Sequence, residues 1–223
     1  LAGAYTASAV SGALGLEKFT VELTPFTPDA RGWCALLVCG VLFGLVGGLF
    51  VWALRSAKSA LAQKLPNPVI RAAGVGAVLA LLLLLLGGGR YSGLGTNLIA
   101  LATGGGDVLP FDWALKLLFT VCTLAAGFQG GEVTPLFSIG ASLGAVLGPV
   151  LGLPGAWCAA LAYAAVFGGA SNTLLAPILI GCEVFGYSAL PLLFPVCALS
   201  YVCSGSGSIY GAQRTLSDAI FSN

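Results

Sequence analysis

Apolar residues run along this chain in long blocks, separated by short clusters of glycine, proline and charge. The residues Leu1 to Leu16 are small and apolar and read as the tail of a membrane helix; the polar stretch Glu17 to Asp29, with Pro25 and Pro28, reads as an exposed loop. Residues 1–23 are therefore expected to be an incomplete helix and the start of an outer loop. Arg31 opens a helix whose run from Gly32 to Leu54 carries no charge and which continues through Arg55, Lys58 and Lys64. At ~1.5 Å per residue the uncharged run covers about 34 Å, enough to cross a bilayer. Pro66 and Pro68 predict a turn, Arg71 begins the next apolar run, Ala72 to Leu86, and Gly87-Gly88-Gly89 ends it. Within Arg90 to Gly106, the apolar piece Leu98 to Thr103 is too short to span and reads as a half-helix or re-entrant segment.

Leu109-Pro110-Phe111-Asp112 predicts a helix start, capped by Asp107 or Asp112, with the helix running through Lys116 to about Ala126. From Val133 to Cys182 no residue is charged, yet the run is interrupted at Gly148-Pro149 to Pro154-Gly155, at Gly168 to Thr173, and at Pro177. The pieces, about 12 to 17 residues long, are shorter than a comfortable span, which is the pattern of broken helices lining a site within the bilayer. Gly186-Tyr187-Ser188 predicts a turn, and Pro191 sits in the first turn of a helix to about Val202. A serine–glycine loop then leads to Tyr210 and a short, mostly polar helix.

Composition turns this pattern into a class. The chain has 223 residues, 58% hydrophobic and 8% charged, against about 25% charged in soluble domains. It is an all-α integral membrane protein, with the lipid bilayer as its solvent. The formal net charge of +1 comes from scattered residues and gives nucleic acid no footprint. With no histidine in the sequence, and neither a metal-ligand cluster nor a nucleophile–base pair, no cofactor is expected and an enzyme is not the reading. The seven cysteines show no CxxC spacing and read as small buried hydrophobes. Arg55, Lys58, Lys64 and Arg71 flank one turn without an acidic residue, so that turn is expected on the cytoplasmic side and Glu17–Asp29 outside. The absence of methionine, at position 1 included, predicts a fragment whose own N-terminus lies upstream.

Against that background one stretch stands out, Gly127 to Gly140, reading GFQGGEVTPLFSIG. Glu132 is the one charge between segments that belong in lipid, and an ionisable residue there marks function by default. Thr134 is a candidate N-cap and Pro135 fits the first helical position. Gly130 and Gly131 would let the backbone turn tightly and approach a ligand. The N–H groups of Glu132 and Val133, with the positive end of the helix dipole, would suit an anion, and the Thr134 hydroxyl could donate to it. A capped helix start with a carboxylate at its favourable end accounts for the same residues without a ligand. Tyr210 carries a donor that could serve an anion, or is an interfacial aromatic anchor. Ser171-Asn172-Thr173 reads as an N-cap, and Glu183 as a structural carboxylate ending a helix.

These residues resemble the CLC chloride channels and transporters. Gly130-Gly131-Glu132-Val133-Thr134-Pro135-Leu136-Phe137 is similar to the GxFxP region of that family, and more so to the subgroup that exports fluoride. Phe167 to Thr173, and Ser204-Gly205 through Tyr210-Gly211-Ala212-Gln213-Arg214, are similar to later segments of the same subgroup. The resemblance implies a CLC-type inverted-repeat fold of which residues 1–223 are the C-terminal half, with a missing N-terminal half upstream carrying the gating glutamate. It implies a homodimer with one pore per subunit, in a prokaryotic plasma (inner) membrane. It implies anion binding at Gly130, Gly131, Glu132, Val133, Thr134 and Tyr210, proton coupling at Glu132, and export of fluoride against protons. A chloride-selective channel or exchanger is the alternative, although Glu132-Val133-Thr134 would be apolar there. An assembly subunit without transport of its own is a third reading.

Overall fold

The computed structural model describes residues 2–16 and 19–211, and every element among them is helical. In chain order these are α1 (Ala2–Ala13), α2 (Ala30–Lys64), α3 (Pro68–Leu85), α4 (Thr96–Thr103), α5 (Asp112–Ala126), α6 (Val133–Val150), α7 (Gly155–Ser171), α8 (Leu175–Phe185) and α9 (Leu190–Cys203). A 3₁₀ turn, Tyr187–Ala189, joins α8 to α9. Three helices, α2, α3 and α6, are long and apolar enough to cross a bilayer. The polar helix expected after Tyr210 lies outside the described residues.

Local chemistry sets most of the boundaries. Asp29 caps α2 by accepting from the Gly32 N–H at 2.8 Å. Asn67 caps α3, accepting from Val69 and Ile70, so this helix begins at Pro68 and not at Arg71. Two expected breaks fall differently. Pro149 is tolerated inside the last turn of α6, and the interruption comes after it, at Leu151 to Pro154. Pro177 sits in the first turn of α8, where its missing N–H costs nothing, so it breaks no helix. Asn172 ends α7 in the left-handed conformation at φ 52° and caps no following helix.

The core is built on α7, almost every residue of which is buried. It lies antiparallel to α6 along a glycine seam. A Cβ on Gly140 would strike the carbonyl of Ala162, one on Gly144 that of Cys158, and one on Gly148 would sit 3.0 Å from Gly155 Cα. A second seam joins α2 to α9, where a Cβ on Gly44 would lie 2.5 Å from the Ser200 carbonyl oxygen and one on Gly48 2.5 Å from that of Ser204. Between lipid-exposed helices no hydrophobic drive remains, and association depends on such close backbone approach. Of the cysteines, Cys39, Cys158, Cys182 and Cys197 are buried, while Cys34 is exposed; none is in a disulfide.

The segment before α2 is not a free loop. The Val21 N–H donates to the Val184 carbonyl at 2.8 Å, and the Trp157 indole N–H to the Thr24 carbonyl at 2.7 Å, with Phe26 beside the same indole. This strap lies across the end of α8 and the start of α7. In contrast α3 is almost uncovered; Val69, Leu84 and Leu85 are each at least 70% exposed, as a lipid-facing helix would be.

Candidate functional site

The α5–α6 connection carries the residues singled out from sequence. Gly127 ends α5 at φ 103°, and the left-handed residue is this one, not Gly130 or Gly131. Gly130 and Gly131 instead face open space, with no atom within 4 Å of where a Cβ would stand. The helix begins earlier than the threonine suggested. Glu132 occupies the N-cap position through its backbone, Val133 and Thr134 are already helical, and the first helical hydrogen bond runs from Leu136 N–H to the Glu132 carbonyl at 3.1 Å. Thr134 is therefore not the cap. Proline lacks an N–H, so Pro135 can occupy the first turn without ending the helix, and the start moves back by two positions. The N–H groups of Glu132, Val133 and Thr134 precede the first bonded turn and are left for a ligand. The Glu132 carboxylate caps none of them, and the residue is half-buried.

Two contacts from α3 fix this connection. Arg71 donates from Nε to the Ala126 carbonyl at 3.2 Å and from Nη1 to that of Leu65 at 3.5 Å. Arg71 and Arg55, read from sequence as topology charges alone, thus also hold backbone carbonyls. Phe128 lies over Gly76, where a Cβ would come 3.0 Å from the ring. Gly76→Leu is expected to push Phe128 off α3 and loosen residues 128–131, raising amide exchange there about tenfold while α7 stays protected. Unchanged exchange in this turn would mean that Phe128 is not what holds it.

Tyr210 is reached by a separate route. The Arg55 guanidinium donates to the Ser208 carbonyl at 2.9 Å, the Ser208 hydroxyl to that of Ser171 at 3.0 Å, and the Ile209 N–H to that of Ala170 at 2.9 Å. The loop thus hangs on the C-terminal end of α7. Because α6 and α7 are antiparallel, with Phe137 stacked on Tyr163 at 4.0 Å and edge-on to Phe167 at 5.2 Å, the start of α6 and the Tyr210 loop lie at the same end of the bundle. Tyr210 itself is 44% exposed. Lys58, by contrast, shares a cavity of about 440 Å³ with Glu132, Gly130 and Gln129.

A buried polar cluster that the sequence reading had reduced to a cap lies behind this site. Asp112 is completely buried and is the first residue of α5, with neither it nor Asp107 as the N-cap. Its carboxylate takes Arg90 Nη2 at 2.6 Å and Nε at 3.1 Å, the Tyr91 hydroxyl at 2.8 Å and the Leu109 N–H at 2.9 Å. In the turn between α3 and α4, burial and then the bond to Asp112 push the Tyr91 phenol up to about 12, so it stays a donor. The hydrogen bond to Asp112 raises the Arg90 guanidinium further above its ordinary value. The apolar run around Lys116 gave a signal for such a cluster: two ionisable side chains one helical turn apart in lipid need partners.

Set beside known proteins, residues 1–205 match the model of the voltage gated chloride channel family. A chloride/fluoride channel protein of Pseudomonas syringae pv. tomato is 39% identical over 186 residues, which cover 81% of this chain and 41% of that protein. A voltage-gated ClC-type chloride channel, ClcB, of Salmonella dublin is 28% identical over 197 residues, 83% of this chain and 46% of its own length. The crystal structure of a CLC-type fluoride/proton antiporter superposes with a TM-score of 0.92 at 49% identity, over 95% of this chain and 54% of that one. The chain thus spans about half the length of the proteins it matches. The superposition shows that the fold is that of the CLC proteins, and the chain belongs to the multi-pass membrane proteins of the CLC voltage-gated chloride channel family.

Proposed function

We propose that this chain is the C-terminal half of a fluoride/proton antiporter. It would work with a first half upstream, as one subunit of a homodimer in a prokaryotic plasma membrane. The observation that carries the proposal is the start of α6, whose N–H groups before the first bonded turn belong to Glu132-Val133-Thr134, the stretch that also carries a carboxylate and a hydroxyl. Fluoride is small, strongly hydrated and a strong acceptor, so stripping its water demands dense donors at close range. The N–H groups of Glu132 and Val133, the Thr134 hydroxyl and a protonated Glu132 would supply them, and open space before Gly130 and Gly131 lets an ion reach the backbone. Glu132, alternately protonated and ionised, would couple proton entry to fluoride exit. The Tyr210 hydroxyl would close the site once the first half is present. The relative named a chloride/fluoride channel and the structure titled a fluoride/proton antiporter support fluoride over chloride; the ClcB relatives support the chloride alternative at lower identity.

The test is flux through the full-length protein in liposomes. Fluoride is expected to move with protons in the opposite direction and chloride to be excluded. Glu132→Gln is expected to abolish the proton component, and Tyr210→Phe to slow fluoride by about tenfold. Chloride moving as readily as fluoride would overturn the fluoride reading. If neither substitution changed flux or coupling, the assembly-subunit reading would hold instead.

A further inference from the structure

Lys116 is 2% exposed. Its ammonium donates to the Tyr91 carbonyl at 2.9 Å and the Gly93 carbonyl at 2.7 Å, which uses two of its three N–H groups. It forms no ion pair among the described residues. Asp112, one helical turn away, is taken by Arg90 and Tyr91, and Asp107, beyond Arg90, is exposed. The helices packed on α5 contribute no carboxylate: α6 carries no charge, the single charge of α3, Arg71, is at its far end, and the charges of α2 are all basic. With Asp112 taken by Arg90, the buried Lys116 ammonium is left without an ion-pair partner among the described residues. Two carbonyls soften but do not cancel such a charge, and a buried ion without a counter-ion is costly.

The space for a counter-ion is present. Lys116, Thr120 and Thr123 line a cavity of about 330 Å³ that runs along α5 to Phe128 and Gln129 and opens onto Gly130, Gly131 and Pro135 at the start of α6, room for an ion and several waters. The Thr120 and Thr123 hydroxyls donate to the carbonyls of Lys116 and Phe119 at 2.7 Å each, so they can face the cavity only as acceptors and would hold water around an ion. A second polar group beside the lysine is unmet. The Ser138 hydroxyl is fully buried without a hydrogen-bond partner, and a Cβ on Gly95 would touch both it and the Lys116 side chain.

We propose that the cavity beside Lys116 holds a small inorganic anion of halide size, keeping part of its water, at a second station in the cavity that leads to the start of α6. The apolar walls, including Leu83, Phe119 and Phe128, exclude large hydrated anions. The lysine supplies the charge and its remaining N–H.

Bromide is the probe, located by anomalous scattering in crystals of the full-length protein. A peak is expected beside Lys116 Nζ, at a hydrogen-bonding distance of about 3.3 Å. Lys116→Gln is expected to weaken occupancy at least about tenfold across a bromide series. Thr120→Leu, one helical turn from the lysine, crowds the cavity beside it while leaving both carbonyl bonds of the lysine in place, and is expected to remove the peak without altering the fold; it decides the matter if Lys116→Gln does not fold. In Tyr210→Phe the Lys116 peak should stay. No peak at Lys116 in crystals soaked to saturation in bromide, a peak surviving either cavity substitution, or its loss in Tyr210→Phe would each overturn the proposal. Bromide at Lys116 with none at the α6 start is what a site that excludes chloride predicts, and supports this proposal.

Discussion

Gly144→Leu is expected to prevent assembly of the bundle. The Cβ alone would overlap the Cys158 carbonyl of α7, and the next glycine in the seam, Gly140, meets the Ala162 carbonyl in the same way. Neither obstacle is a side chain that can turn aside; both are backbone of the most buried helix in the chain. Overpacking a core costs about 1–3 kcal/mol where neighbours can adjust. With backbone on the other side, the cost should reach or exceed the top of that range. Thermal unfolding in detergent, followed by loss of the monodisperse species, measures it. A variant as stable as wild type would mean that α6 and α7 do not meet at this seam. Gly74, with open space in front of it on α3, is the control, and Gly74→Leu should be tolerated.

Asp112→Ala should be nearly as damaging, through electrostatics. One fully buried carboxylate satisfies Arg90, Tyr91 and the Leu109 N–H. Removing it leaves a guanidinium, a phenol and an amide facing each other in an apolar interior that also holds Lys116. Breaking a buried pair from one side costs about 3–5 kcal/mol. Asp112→Asn keeps the shape and should recover part of the loss by accepting one bond, a graded outcome that urea or thermal unfolding would resolve. Equal stability of the alanine variant and wild type would show that water reaches and replaces the carboxylate.

Much of the architecture was legible from the pattern of apolar runs and breakers. The uncharged stretch from Gly32, the short Leu98–Thr103 piece and the interruption near Pro154 each follow from local chemistry, and local chemistry is what a linear sequence displays. The candidate stretch was legible for the same reason, since a single carboxylate among apolar residues is visible without any fold. Misreadings came where two local rules compete. Thr134 looks like a cap, but Pro135 is as comfortable at the third position as at the first, and the helix starts at Val133. Asn172 has the chemistry of an N-cap and also tolerates the left-handed conformation that closes α7. What the sequence concealed was pairing. The spacing of four among Gly140, Gly144 and Gly148 is visible, but which backbone it receives is decided by α7. Lys116 looked like one more charge on a helix until the turn at Tyr91–Gly93 folded over it. Nor does the sequence display that the Tyr210 loop hangs on the C-terminal end of α7, at the same end of the bundle as the start of α6.

The meeting of α6 and α7 has a consequence for disorder. Glycine and alanine have no rotamers to lose, so fixing them in place costs essentially no side-chain entropy, where a leucine would forfeit about 0.5–1 kcal/mol. Gly140, Gly144, Ala159 and Ala162 thus join two helices without that penalty, and without any means of repacking afterwards. A joint made of backbone has no alternative side-chain arrangements to visit, so α6 can shift against α7 only as a whole rod, carrying Glu132 at its tip.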